Sequence, residues 1–369
     1  MSTAMTPTRS EEPTLAELFA RPGNSLNAIR LVLASAVIVR HADVVIHGTM
    51  DASLAIDQVF GQLPVDGFFA LSGFLISASW VADPRPRSFL LARCARLLPA
   101  FWVCLALTVL IAGPLAGLVR TGRLDPGYGV VDGVRYLVSN AALVMFDNSI
   151  GGTPTGVPWP GDWNASLWTL KWEFLCYLGV LVLGLTGLLL KRRLMVGTLV
   201  AAWVIQTLAL IAYVFVPGIL LDAARFFLMY MSGVALFVVA DKVRVRPRTV
   251  ALAIVAILLC ATFVPGYRIL VGPFVAFALV GLGVLVRRPR LRHDLSYGMY
   301  IYGFPIEQIL AGSPVREWGL VAFSAVAIVA TVPLAAVSWF GIERPVHRWA
   351  RGRRDRGRAP ASPPQVVGG

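Results

Sequence analysis

Trp318-Gly-Leu-Val-Ala-Phe-Ser-Ala-Val-Ala-Ile-Val-Ala-Thr-Val-Pro-Leu-Ala-Ala-Val-Ser-Trp-Phe-Gly341 runs for 24 residues without a charged side chain. A bilayer core takes roughly 20 apolar residues of helix to cross. Lipid offers no partner for free backbone N–H and C=O groups, so such a stretch predicts a membrane-spanning helix. Moving outward, similar segments occupy about residues 27–47, 64–81, 98–118, 167–190, 194–216, 220–240, 249–265, 268–286 and 294–312. The expected fold class is therefore an all-α integral membrane protein of about ten transmembrane helices.

Composition agrees. The chain is 57% hydrophobic and 14% charged, with a mean hydropathy of +0.72, whereas a soluble domain carries roughly a quarter charged residues. Its net charge of +13 does not point to nucleic acid, because the basic residues fall in short clusters between apolar segments rather than on one module. Counting Lys and Arg in the connecting segments puts 24 on one side and 5 on the other. The positive-inside rule then places both termini in the cytoplasm. The expected location is the cell (cytoplasmic) membrane, with the lipid bilayer as a partner. Cys94, Cys104, Cys176 and Cys260 show neither a disulfide framework nor a CxxC metal site. No metal site is expected. Residues 1–23 read as a polar tail lacking a signal-peptide core, 24–346 as the membrane domain, and 347–369 as a basic, disordered tail.

Charges left inside the helices are the candidates for chemistry, since intramembrane charge is costly and usually functional. Arg30 and His41 are eleven residues apart. That is about 1,100° of helical rotation and roughly 16 Å of rise, which puts both on one face. A neutral histidine suits removal of a hydroxyl proton near neutral pH. Arg30 equally fits a snorkelling interfacial residue, and His41 a helix cap. Asp66 opens the second span, within reach of Arg40 or His41. Ser72 and Gly73 are small enough for close helix packing. Arg93 and Arg96 lie one turn apart, suited to nucleotide phosphates or to ordinary anchoring. Lys171 and Glu173 point in different directions, so Glu173 needs a polar cavity, with Arg225 as a possible partner although Asp222 lies nearer to that arginine. Pro305 should kink a helix that also carries Tyr297, Tyr300, Tyr302 and Glu307. In the long loop of about residues 119–166, Trp159 and Trp163 suit either a sugar face or an interfacial belt. Within it, residues 132–146 suit a re-entrant or surface helix.

The Arg30-x10-His41 spacing, Phe68-Phe-Ala-Leu-Ser-Gly-Phe-Leu-Ile76, Arg93-x-x-Arg96-x-x-Pro99, Ser166-Leu-Trp-Thr-Leu-x-x-Glu173, Ser296-Tyr-Gly-x-Tyr-x-Tyr302 and Ile342-Glu-Arg-Pro345 occur in that order. Together they resemble the acyltransferase 3 family of bacterial membrane acyltransferases, over about residues 24–346. The resemblance implies transfer of an acyl group, often acetyl, from cytosolic acyl-CoA to a glycan or small-molecule hydroxyl. It implies acyl-CoA as co-substrate with no bound cofactor. It makes His41 the catalytic base, Arg30 its companion, and Glu173 the acidic residue of its motif. Substrate contacts would come from Arg93, Arg96, Asp66, Trp168, Tyr300 and Tyr302. Many members carry histidine where this chain has Gly303. A secondary transporter is the competing reading, and it lacks the related halves such proteins commonly show.

Overall fold

The computed structural model describes residues 12–50 and 53–356. In chain order the helices are α1 (Leu15–Ala20), α2 (Leu26–His47), α3 (Leu54–Ala82), α4 (Pro86–Thr121), α5 (Val130–Asn140), α6 (Leu167–Leu185), α7 (Arg192–Ile211), α8 (Gly218–Val238), α9 (Pro247–Phe263), α10 (Arg268–Leu285), α11 (Ser296–Ala311), α12 (Gly319–Ser338) and α13 (Arg344–Arg356). Each of the ten expected segments is helical, but only seven helices among the described residues are long and apolar enough to cross a membrane. The three that fall short have physical reasons. α2 carries Arg30, Arg40, His41 and Asp43, α9 has 17 residues, and α11 has 16.

The chain divides into two compact units. The first comprises residues 1–40, 51–78 and 186–296. α8 is its core helix, buried on nearly every side from Ala224 to Val238, as expected of a helix that is apolar all round. α7 is peripheral, with Val200, Ile205, Leu208 and Ile211 exposed. α3 and α8 meet backbone to backbone: a Cβ on Gly73 would lie 2.1 Å from the Tyr230 carbonyl oxygen, and one on Gly233 would lie 2.0 Å from that of Ala70. Only glycine permits this approach. α1 opens with a capping box between Thr14 and Glu17 and buries Leu15 completely. The segment expected to be a polar tail therefore contributes to the packing from residue 15 onward.

The second unit comprises residues 41–50, 79–185 and 297–369. Its spine is α11, which buries Tyr297, Tyr300, Ile301, Tyr302, Phe304, Glu307, Gln308 and Ala311. A helix enclosed by protein does not need the length that lipid demands. α5 is a surface helix of 11 residues, too short to span at about 1.5 Å per residue. Its outward Val130, Val131 and Val138 are exposed, while Tyr136 is buried and its hydroxyl accepts from Asn164 Nδ2 at 2.6 Å. α13 continues to Arg356, through ten residues of the stretch expected to lack structure. Residues 357–369 of that expected tail lie outside the described residues.

Candidate active site

α2 ends in the second unit with the turn that bears His41. The imidazole packs edge-on against Phe304, with centroids 5.1 Å apart and an interplanar angle of 89°. Its Nδ1 faces the carboxylate of Glu307 at 4.0 Å from Oε2. Phe304 and Glu307 sit one turn apart on α11 and so present both contacts on one face. Glu307 is fully buried, and neither carboxylate oxygen has a hydrogen-bond partner among the described residues. At 4.0 Å the pair attracts electrostatically without a hydrogen bond, a separation common before substrate arrives. Glu307 is the neighbour of His41 that the motifs overlooked. Its one sequence signal is a carboxylate inside an apolar segment.

The long loop closes beside this pair. Gln308 Nε2 donates to the carbonyls of Trp159 at 2.9 Å and Asp162 at 2.7 Å. Ala42, Val45, Phe304, Val157 and Phe323 form a buried cluster against which Trp159 packs. Asp162 accepts from the Asn164 N–H at 3.0 Å. Burial pushes its carboxyl up to about 6, against the opposing hydrogen bonds from Asn164 and Trp159. Trp163 does not serve as a stacking platform. It is fully buried and donates its indole N–H to Thr153 Oγ1 at 3.2 Å. An apolar cavity of about 210 Å³ is lined by Tyr302, Pro305, Ile306 and Ile309. By helical phase these residues lie opposite Glu307 on α11, so the cavity is not part of the site.

In the first unit, Arg30 Nη1 pairs with Asp294 Oδ2 at 2.5 Å and stands 5.9 Å from the Phe68 ring centroid. Asp294 also accepts from the N–H of Ser296 at 3.2 Å, capping the first turn of α11. Arg30 therefore holds the carboxylate that starts the helix on which Glu307 lies. Asp66 is fully buried and pairs with Arg225 Nε at 2.8 Å and Arg268 Nε at 2.6 Å. It also accepts from the Tyr267 hydroxyl. The expected pairing of Asp66 with Arg40 does not form: Arg40 Nε reaches Asp57 at 3.3 Å. Gln62 bridges the two groups, donating to Asp57 at 2.5 Å and accepting from Arg268 at 2.7 Å. Arg225 therefore pairs with Asp66 rather than with Glu173.

The remaining motif residues gather in the second unit, toward the first turns of α11. Arg93 lies over the rings of Phe89 and Tyr177, at 5.5 Å and 5.7 Å. The Tyr177 hydroxyl donates to Glu173. Arg96 lies 5.2 Å from the Tyr297 ring centroid and pairs with buried Glu343 at 3.5 Å. Glu343 accepts from Ser338 at 3.1 Å, and Ser338 accepts from the Tyr302 hydroxyl at 3.3 Å. Tyr300 shares a hydrogen bond of 2.5 Å with Thr169. Trp168 lies half-buried on the turn Leu167–Thr169. One network thus joins four of the sequence motifs. Tyr297 and Glu307 are ten residues apart on α11, about 15 Å of rise, so this network and the His41 pair occupy different levels of the helix.

A family model described as an acyltransferase domain matches residues 24–340. The chain is 26% identical over 332 residues to an O-acetyl transferase of Shigella phage Sf6, a match covering 87% of this chain and 95% of that one. It is 29% identical over 347 residues to Nodulation protein 10 of Rhizobium leguminosarum bv. viciae, covering 87% and 92%. No solved structure matches it.

Proposed function

The chain belongs to the acyltransferase 3 family, and on that footing we propose that it moves an acyl group from acyl-CoA to a hydroxyl of a glycan or similar exported acceptor, with His41 as the general base. Membership makes it an acyltransferase rather than a transporter. The relative that is named an O-acetyl transferase supports oxygen as the acceptor atom. The observation that carries the mechanism is the imidazole of His41 facing the buried carboxylate of Glu307.

Glu307 faces Nδ1, and Nε2 is the nitrogen that takes the acceptor's hydroxyl proton. The acceptor oxygen attacks the thioester carbonyl carbon, and the tetrahedral species collapses with breakage of the C–S bond. The imidazolium returns its proton to the departing thiolate, so His41 ends as it began. Glu307 stabilises the imidazolium while it exists, and Phe304 keeps the ring from turning away. Trp159 and Asp162 lie where the acceptor enters, and Arg93 and Arg96 on the donor's side. Placing the protein in the cell membrane with both termini cytoplasmic rests on its distribution of basic residues.

Acceptor-dependent release of CoA from acetyl-CoA by the purified protein tests the reading. His41→Ala should lower the rate by about 10²–10⁴-fold, the usual weight of a general base, while inserting and melting like the parent. Parent-level activity in that variant would remove His41 from the chemistry.

A further inference from the structure

Between α10 and α11, Arg287, Arg288, Pro289 and Arg290 line an open cavity of about 870 Å³ in the first unit. All three arginines are exposed, and none makes an ion pair with a described residue. Arg290 is held from below: Nη2 donates to the Pro22 carbonyl at 3.4 Å. Its guanidinium covers Gly23, where a Cβ would lie 2.3 Å from Cζ. Gly23 has φ +81°, a conformation natural to glycine. The backbone at Gly23 thus provides the floor on which the Arg290 head rests.

Three exposed guanidinium groups with no ion-pair partner among the described residues suit an anion with several phosphates, because the planar fork binds phosphate oxygens in pairs. Arg93 and Arg96 are engaged differently, on Tyr177 and on Tyr297 with Glu343. Glu343 offsets the charge of Arg96, which makes that pair a poorer phosphate site than the loop.

We propose that Arg287, Arg288 and Arg290 bind the 3′-phosphate and diphosphate of the donor's nucleotide end. The assignment rests on acyl-CoA being the donor.

The test compares the full chain with the triple variant R287Q/R288Q/R290Q, using acetyl-CoA and S-acetylpantetheine, a thioester lacking the nucleotide. The triple variant should show KM for acetyl-CoA raised about tenfold or more, with kcat and the KM for S-acetylpantetheine unchanged. The effect should shrink as salt is raised, as for any exposed charge contact. Adenosine 3′,5′-bisphosphate, titrated calorimetrically, should bind the parent and bind the variant at least about tenfold more weakly. Equal KM values for acetyl-CoA, or the same rise with both donors, would overturn the assignment while leaving acyl transfer intact. A variant that differs from the parent only in retention on anionic-lipid vesicles would overturn it in favour of a headgroup contact. Bisphosphate binding that depends on the arginines, in a protein that consumes no acetyl-CoA, would support the pocket and defeat the acyl-transfer reading.

Discussion

Neutralising Glu307 is the sharpest perturbation the geometry offers. His41 Nδ1 and Glu307 Oε2 are 4.0 Å apart. Two unit charges at that distance attract by about 4 kcal/mol at the effective dielectric of 20 that suits protein sites. Before the proton moves, imidazole is neutral and little of this is realised. After it moves, an ionised Glu307 attracts the imidazolium, so the interaction belongs to the transition state. The His41 side chain is 19% exposed, and solvent removes part of the attraction. Glu307→Gln should therefore lower kcat by about 10²–10³-fold, the upper end matching 4 kcal/mol at about 1.36 kcal/mol per decade. Stability should move the other way. The carboxylate is buried without a hydrogen-bond partner among the described residues, and burying an unsatisfied charge is expensive. The Gln variant should accordingly melt at or above the parent's temperature. The assay is acceptor-dependent CoA release in nanodiscs, with a thermal melt on the same preparation. Glu307→Asp keeps the charge on a shorter arm and should fall between parent and Gln. A Gln variant within twofold of parental kcat would refute the reasoning, and so would one that loses activity only by unfolding.

Asp66→Asn leaves buried Arg268 and half-buried Arg225 without their shared carboxylate, and breaking such a buried pair typically costs about 3–5 kcal/mol. Thermal unfolding in detergent should show a large drop, and an unchanged melt would contradict the network. Asp162 gives a pH dependence. Burial raises its carboxyl from 3.8 to about 6, so the folded state favours the protonated form. Stabilisation is complete below the unfolded value and is lost as pH rises through about 6. Asp162→Asn should then melt above the parent at pH 7.5, with the difference fading below pH 5, which paired melts at the two pH values check.

The apolar runs were readable because lipid and backbone hydrogen bonding leave few options, and all ten expected segments are helices. Seven of them are also long and apolar enough to cross a membrane. α11 is apolar because protein encloses it, and hydropathy does not separate that from contact with lipid. His41 was visible through its spacing from Arg30, but Glu307 lies 266 positions away along the chain, and periodicity within one helix cannot reveal a partner on another. Asp294 was missed for the same reason. Asp66 was read as within reach of Arg40 or His41; the fold gives it Arg225 and Arg268 and supplies Asp57 to Arg40. Trp163 shows the same gap from the opposite side, since an aromatic in a glycine-rich loop looks exposed until Thr153 and Ile150 close around one another.

The crossing of α3 with α8 constrains how the first unit can move. Each helix presses its own carbonyl into the space where the other would begin a side chain. Sliding by a fraction of a turn would bring bulkier neighbours into that gap, so the two rods are locked in register like teeth. α3 departs from regular α-helical geometry away from that crossing, in its π-helical turn Asp57–Gln62. That turn also holds Asp57 and Gln62, which tether Arg40 and Arg268, so flexing there would alter the neighbouring ion pairs while the glycine crossing stayed fixed.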